Sequence, residues 1–135
     1  MNSSTPSQTI GPFFHGALNW LVSAAQPPQD WVTVRGSVLD REGKSVADAL
    51  LEISLSESAS DKFRFQRVYT NDAGVFQFSV PAASHAHVAL FARGLLKQLF
   101  TRVYLVAQSV PNDIPPARRA TLTAQCAGDH VRWDI

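Results

Sequence analysis

The chain has 135 residues, a length that suits one domain with a core of its own. Hydrophobic residues make up 45% and the formal net charge is +1, with no block of Lys and Arg, which excludes the basic stripe a nucleic-acid partner needs. No apolar run approaches the roughly 18 residues of a membrane span, and the single cysteine, Cys126, excludes an internal disulfide or a thiolate metal cluster.

The opening residues lack a basic stretch followed by an apolar one, so no signal peptide is expected and a cytoplasmic location is the default. Residues 1–12 are polar and carry Pro6, Gly11 and Pro12. They read as an extended arm, because the residue before a proline is pushed out of the helical region. Phe13 and Phe14 follow, residues 15–25 fit a short helix, and residues 26–30, with Pro27 and Pro28, form a linker. From Trp31 the pattern changes. Residues 31–38 are rich in β-branched side chains and predict a strand. Residues 40–44 form a turn, residues 50–55 a second strand and residues 56–62 a polar loop.

Residues 63–70 and 75–80 predict two strands joined as a hairpin through Asn71-Asp-Ala-Gly74. Residues 85–91 alternate again, Gly94 marks a bulge or corner, and residues 95–104 run on as strand. Three prolines make residues 110–116 a loop. Residues 119–125 and 130–135 form a last hairpin around Ala127-Gly128-Asp129. Short strands with turns between them, and no long segment of helical period, predict an all-β chain. It divides into an arm and linker (1–30) and a β-sandwich domain (31–135).

His85 and His87 form an H-x-H on a strand, where alternation puts both imidazoles on one face. They are candidate ligands for iron, zinc or copper, set against the simpler reading of two strand histidines with no ligand. Arg93, read from its residue type alone, is an arginine paired with a carboxylate at the edge of the core. Arg67 and Arg102 read as strand-surface pairing, and Asp40, Asp48 and Asp72 as support for turns. Trp20, Trp31 and Trp133 read as core or interface anchors, and His15 and His130 as exposed.

Taken together, several segments resemble the intradiol ring-cleavage dioxygenases, most closely the alpha subunit of protocatechuate 3,4-dioxygenase. Thr5-Pro-Ser-Gln-Thr-Ile-Gly-Pro-Phe13 resembles the arm of those subunits. Val34-Arg-Gly-Ser-Val-Leu-Asp-Arg-Glu-Gly43, with Val46, Ala49 and Glu52, resembles the family's VxGxVxDxxG run and the residues after it. Thr70-Asn-Asp-Ala-Gly-Val-Phe-Gln-Phe78 resembles TDxxGxFxF, and Phe91-Ala-Arg-Gly94 with Thr101-Arg-Val-Tyr104 resembles the FARG…TRxY pair. Arg118-Arg-Ala-Thr-Leu122 and Arg132-Trp-Asp-Ile135 resemble the C-terminal hairpin. The matches run in order over most of the chain.

This resemblance implies an intradiol β-sandwich and an Fe(III)-dependent oxidoreductase of aromatic catabolism that splits a catecholic ring with O₂. It also implies a hetero-oligomer in which a beta-type subunit carries the iron through two tyrosines and an H-x-H. The alpha-type chain lends its arm and its FARG arginine to the pocket. Carried over, the substrate-binding positions are Thr9, Gly11, Pro12, Phe13 and Arg93, with His85 and His87 on the metal motif. The chain departs from the iron-bearing pattern elsewhere. Of its two tyrosines, Tyr104 matches a non-ligand position and Tyr69 matches neither ligand. The segments that would bear the ligand tyrosines shrink to residues 56–62 and 81–84. The expectation is therefore an alpha-type subunit beside an iron-bearing partner chain, not an independent catalyst. The alternative is a non-catalytic binding or assembly module, with His85 and His87 inert or holding a metal.

Overall fold

Burial alternates residue by residue along residues 75–81 and 85–91, and that period of two sets which side chains enter the core there. The structure is a computed structural model that describes residues 27–55, 65–82 and 85–135. The arm, the short helix expected over residues 15–25 and the loop expected over residues 56–62 lie outside the described residues. The elements are β1 (Trp31–Ser37), β2 (Leu50–Leu55), β3 (Phe65–Tyr69), β4 (Val75–Pro81), β5 (His85–Phe91) and β6 (Leu99–Tyr104). A 3-10 turn (Ala107–Ser109), helix α1 (Pro116–Leu122), β7 (Gln125–Ala127) and β8 (His130–Arg132) complete the order.

Among the described residues, two four-stranded sheets form, β4-β1-β8-β7 and β3-β2-β5-β6. Their neighbours are antiparallel except β1 and β8, which run parallel with Val34 beside Val131 and Arg35 beside Arg132. The inner faces meet in one core. Val34, Phe76, Phe78 and Val80 enter from the first sheet, and Leu51, Ile53, Ala86, Val88, Leu90 and Val103 from the second. This is the expected β-sandwich. Among the described residues, no helix is long and apolar enough to cross a membrane.

Two family-like motifs have a visible packing reason. In the VxG run, a β-carbon on Gly36 would stand 1.6 Å from the Trp133 carbonyl oxygen and 2.8 Å from the Phe76 ring. Only glycine lets the segment after β8 lie against β1. There Trp133 N–H donates to Arg35 O at 3.0 Å, and the indole packs edge-on against Phe76. In the second motif the Thr70 hydroxyl is buried. It accepts from Ala49 N–H at 2.8 Å and donates to Val46 O at 3.0 Å, pinning the loop that leads into β2. Gly74 has φ +73, and its Cα faces Ser45 so closely that a β-carbon would sit 2.6 Å away.

The structure corrects the expected connections in three places. The turn at residues 71–74 is real, closed by Asn71 N–H to Val75 O at 2.9 Å, but β3 and β4 belong to different sheets. It is a corner between layers, not a hairpin within one. Residues 95–98 are turn and bend, so β6 starts at Leu99, with Gly94 at the corner. Residues 116–122 are helix, where residues 119–125 were expected to be strand. Pro116 occupies the first helical turn, where its fixed φ suits and its missing N–H costs nothing, and Ala, Arg and Leu then favour helix. The last hairpin is present but shorter, β7 with β8.

Candidate functional site

The two candidate histidines lie on the outer face of the second sheet. Because β5 buries Ala86, Val88 and Leu90, its odd-numbered residues, including His85 and His87, point outward together. Register then sets their neighbours on β6: Tyr104 lies opposite His85, and Arg102 opposite His87. The two imidazoles are 5.4 Å apart, centroid to centroid, at 63°. The Tyr104 ring stacks on His85 at 5.3 Å and 23°. Arg102 Nε donates to His87 Nδ1 at 3.3 Å. Burial, the Arg102 charge and the His85 charge together hold the His87 pKa below the usual histidine value. His87 is thus neutral at physiological pH, with the Nδ1 lone pair already occupied by a donor.

Beside this row lies a cleft of about 490 Å³, lined by His87, Phe100, Arg102 and Tyr104 from the sheet and by Ile114, Arg118 and Leu122 from the opposite wall. That wall is stapled in place. Arg119 donates from Nε to Ile114 O at 2.8 Å and from Nη2 to Asn112 O at 2.6 Å, tying the proline loop to α1. The Trp133 indole N–H donates to Thr121 O at 2.9 Å, and Ala124 N–H donates to Tyr104 O at 2.9 Å. Arg118 was read only as part of a C-terminal motif. The proline pair that starts α1 was the signal that could have placed it on this wall.

Arg93 lies elsewhere. It follows the far end of β5, and the six steps from His85 to Phe91, at about 3.3 Å each, span roughly 20 Å. Arg93 Nη2 pairs with Asp48 Oδ2 at 3.3 Å, yet 60% of its side chain stays exposed. Asp48 itself has φ +59, at the tip of the loop that Thr70 pins. Tyr69 also sits at this end, since it pairs with Leu50, which pairs with Phe91. The structure therefore brings His85 and His87 together and sets Arg93 and Tyr69 well apart from them. Thr9, Gly11, Pro12 and Phe13 lie outside the described residues. Arg67 pairs across the strands with Glu52, Nε to Oε1 at 2.7 Å, as expected, and Asp40 accepts from two turn amides.

No model of a known protein family matches the chain. The protocatechuate 3,4-dioxygenase alpha chain of Burkholderia cepacia does: it is 30% identical over 163 aligned positions, covering 90% of this chain and 83% of the relative. The chain belongs to the intradiol ring-cleavage dioxygenase family, as an alpha-type member. The corresponding alpha chain of Pseudomonas putida is 29% identical and covers 97% of this chain and 90% of its own length. Both alignments are longer than this chain, so both relatives carry residues that this intradiol dioxygenase relative lacks.

Solved structures agree on the fold. The dioxygenase domain of a dioxygenase–carbohydrate-binding fusion from Streptomyces sp. SirexAA-E superposes with a TM-score of 0.57 at 22% identity, covering 85% of this chain and 82% of that one. Hydroxyquinol 1,2-dioxygenase from Pseudomonas putida gives 0.62 at 13% identity, covering 82% of this chain and 57% of that one. At such identities the likeness shows the intradiol sandwich and no more.

Intradiol dioxygenases are in general Fe(III)-dependent, and the described residues around the two imidazoles do not fit a ferric ion. No group of three or more His, Cys, Asp or Glu that could hold a metal exists among the described residues. Among the described residues, the cleft beside the imidazoles has two guanidiniums and no carboxylate on its walls. One of the chain's two tyrosines lies at the far end of β5, and the other stacks its ring on His85. A hard trication gains most from anionic oxygen and is repelled by the cations that are there.

Proposed function

We propose that this chain works as the alpha-type subunit of a protocatechuate 3,4-dioxygenase-like enzyme, completing the pocket of an iron-bearing beta-type chain for a catechol carboxylate. The observation that carries the reading is the separation along β5: Arg93 is exposed at one end and the imidazoles lie at the other. A carboxylate held by Arg93 is out of reach of His85 and His87, so an Arg93 that binds substrate does so for another chain's reacting centre. The curated relatives favour a subunit of this kind over a non-catalytic module.

In this reading the partner's iron supplies the chemistry of oxygen insertion. This chain supplies charge and shape. Asp48 holds one terminal nitrogen of Arg93 and leaves the rest of the planar group to meet a ring carboxylate through two parallel hydrogen bonds. Thr9, Gly11, Pro12 and Phe13 of the arm wall the same pocket. The soluble hetero-oligomer would act in the cytoplasm. Co-expression with a beta-type chain tests the proposal: a stable complex with a visible Fe(III)–tyrosinate band and cleavage of protocatechuate is expected. Arg93→Ala should then raise KM about tenfold or more for protocatechuate while leaving catechol nearly unchanged. Equal effects on both substrates would refute the role of Arg93, and failure to form a complex would refute the subunit reading.

A further inference from the structure

The outer face of the first sheet carries a cluster of charge that the subunit reading leaves unused. β1 and β8 run parallel, and their register sets Arg35 beside Arg132. Val34 and Gly36 are buried on either side of Arg35, and Trp133 is buried after Arg132, so alternation turns both guanidiniums outward. Like charges on adjacent strands repel each other. Asp134 offsets one of them: its Oδ2 accepts from Arg132 Nε at 3.0 Å, and its Oδ1 accepts from Ser37 N–H at 2.9 Å. Asp129 is engaged by the half-buried His130, Oδ1 to Nδ1 at 2.8 Å. The Arg35 side chain makes no hydrogen bond or ion pair among the described residues and acts on Asp129 only through its longer-range field.

Arg35, Ser37, His130, Arg132 and Asp134 line one cleft of about 230 Å³. That is below the roughly 300–1,000 Å³ of sites for drug-sized molecules, so the occupant it suits is small. Its walls offer both kinds of hydrogen-bonding partner. Arg35, Arg132 Nη1 and the Ser37 hydroxyl can donate. The Asp134 carboxylate, fixed by its two bonds, keeps lone pairs that can accept. A bare anion is drawn by the guanidiniums and repelled by Asp134. An anion that brings its own proton turns that repulsion into a hydrogen bond. We propose that this cleft binds inorganic phosphate as hydrogen phosphate, its oxygens on Arg35 and Arg132 and its P–OH donating to Asp134. Sulfate has the same shape and charge but no proton to give, so the site tells the two apart. It lies across the sandwich from His85 and His87, on the other outer face.

Calorimetric titration of the full chain with inorganic phosphate and with sulfate, at pH 7.5 and constant ionic strength, tests the proposal, with the His130 ring signals followed by NMR. Saturable phosphate binding that shifts those signals is expected, about tenfold tighter than sulfate. Methyl phosphate, mostly a dianion without a proton at this pH, should bind as weakly as sulfate. Arg35→Gln changes an exposed side chain with no bond of its own, so the fold stays intact and phosphate should bind about tenfold more weakly. Asp134→Asn keeps the shape and removes the charge, and should bring the phosphate and sulfate affinities together. Equal affinities for the two anions in the parent chain would overturn the proposal. So would unchanged phosphate affinity in Arg35→Gln, or phosphate binding that leaves the His130 signals unmoved.

Discussion

Arg102 and His87 stand directly opposite each other on β6 and β5, and the guanidinium donates to the imidazole at 3.3 Å. An arginine can only donate, so His87 Nδ1 must present its lone pair, and the neutral ring carries its proton on Nε2. The pairing disfavours a second proton and adds to the effects of burial and of His85.

A pH dependence follows from that pair. The folded pKa of His87 lies below the unfolded value of about 6.5. The unfolded chain therefore binds more protons over that interval, and the stabilising contribution is complete above pH 6.5 and declines as pH falls through the folded pKa. The urea midpoint should be lower at pH 5.5 than at pH 7.5. Arg102→Gln should shrink this contribution and move the His87 NMR titration upward, part of the way to 6.5. An unchanged titration in the variant would show that the guanidinium has no electrostatic hold on the ring.

Gly36→Ala should be severe. The added methyl would overlap the Trp133 carbonyl, which is backbone and cannot swing aside. A loss of about 3 kcal/mol or more is expected in urea unfolding, together with reduced tryptophan burial by fluorescence quenching. A loss under about 1 kcal/mol would mean that the segment after β8 gives way easily.

Thr70→Val keeps shape and removes a buried hydroxyl that serves two backbone groups. Leaving Ala49 N–H and Val46 O short of a partner should cost about 1–3 kcal/mol. Thr70→Ser, which retains the hydroxyl, should recover most of it. Equal losses in both variants would assign the effect to the methyl group instead.

Arg93→Ala should leave stability within about 0.5 kcal/mol of the parent, since an exposed ion pair contributes little. Chemical unfolding of the isolated chain checks this. It also separates a substrate-binding role, which moves KM in the complex, from a structural one, which would lower the unfolding midpoint.

Strand identity was legible wherever alternation met a turn. His85–Phe91 shows its inward Ala86, Val88 and Leu90 in the sequence itself, and with them the shared face of the histidines. What failed were features set by the third dimension. Asn71-Asp-Ala-Gly74 forms the same local turn whether its strands pair or part, so periodicity could not reveal that the chain changes sheets there. The helix at residues 116–122 is too short for its period to show, and only the prolines mark it. Arg102 is adjacent to nothing chemical in sequence. Register alone places it against His87, and Arg118 reaches the same cleft because Trp133, from the segment after β8, anchors the helix. The Arg93–Asp48 pair was legible as the edge-of-core alternative, although its partner could not be named.

The parallel pairing of β1 with β8 has a consequence for synthesis. β1 lies inside its sheet, with β4 on one side and β8 on the other, and roughly a hundred residues separate Val34 from Val131. While the nascent chain emerges from the ribosome, β1 can find β4 early, but its other edge stays open until residues 130–132 clear the exit tunnel. During that interval the growing polypeptide presents an unpaired strand edge, the kind of surface on which neighbouring chains coalesce. Rapid translation of the last third, or a chaperone waiting at the tunnel mouth, shortens the exposure.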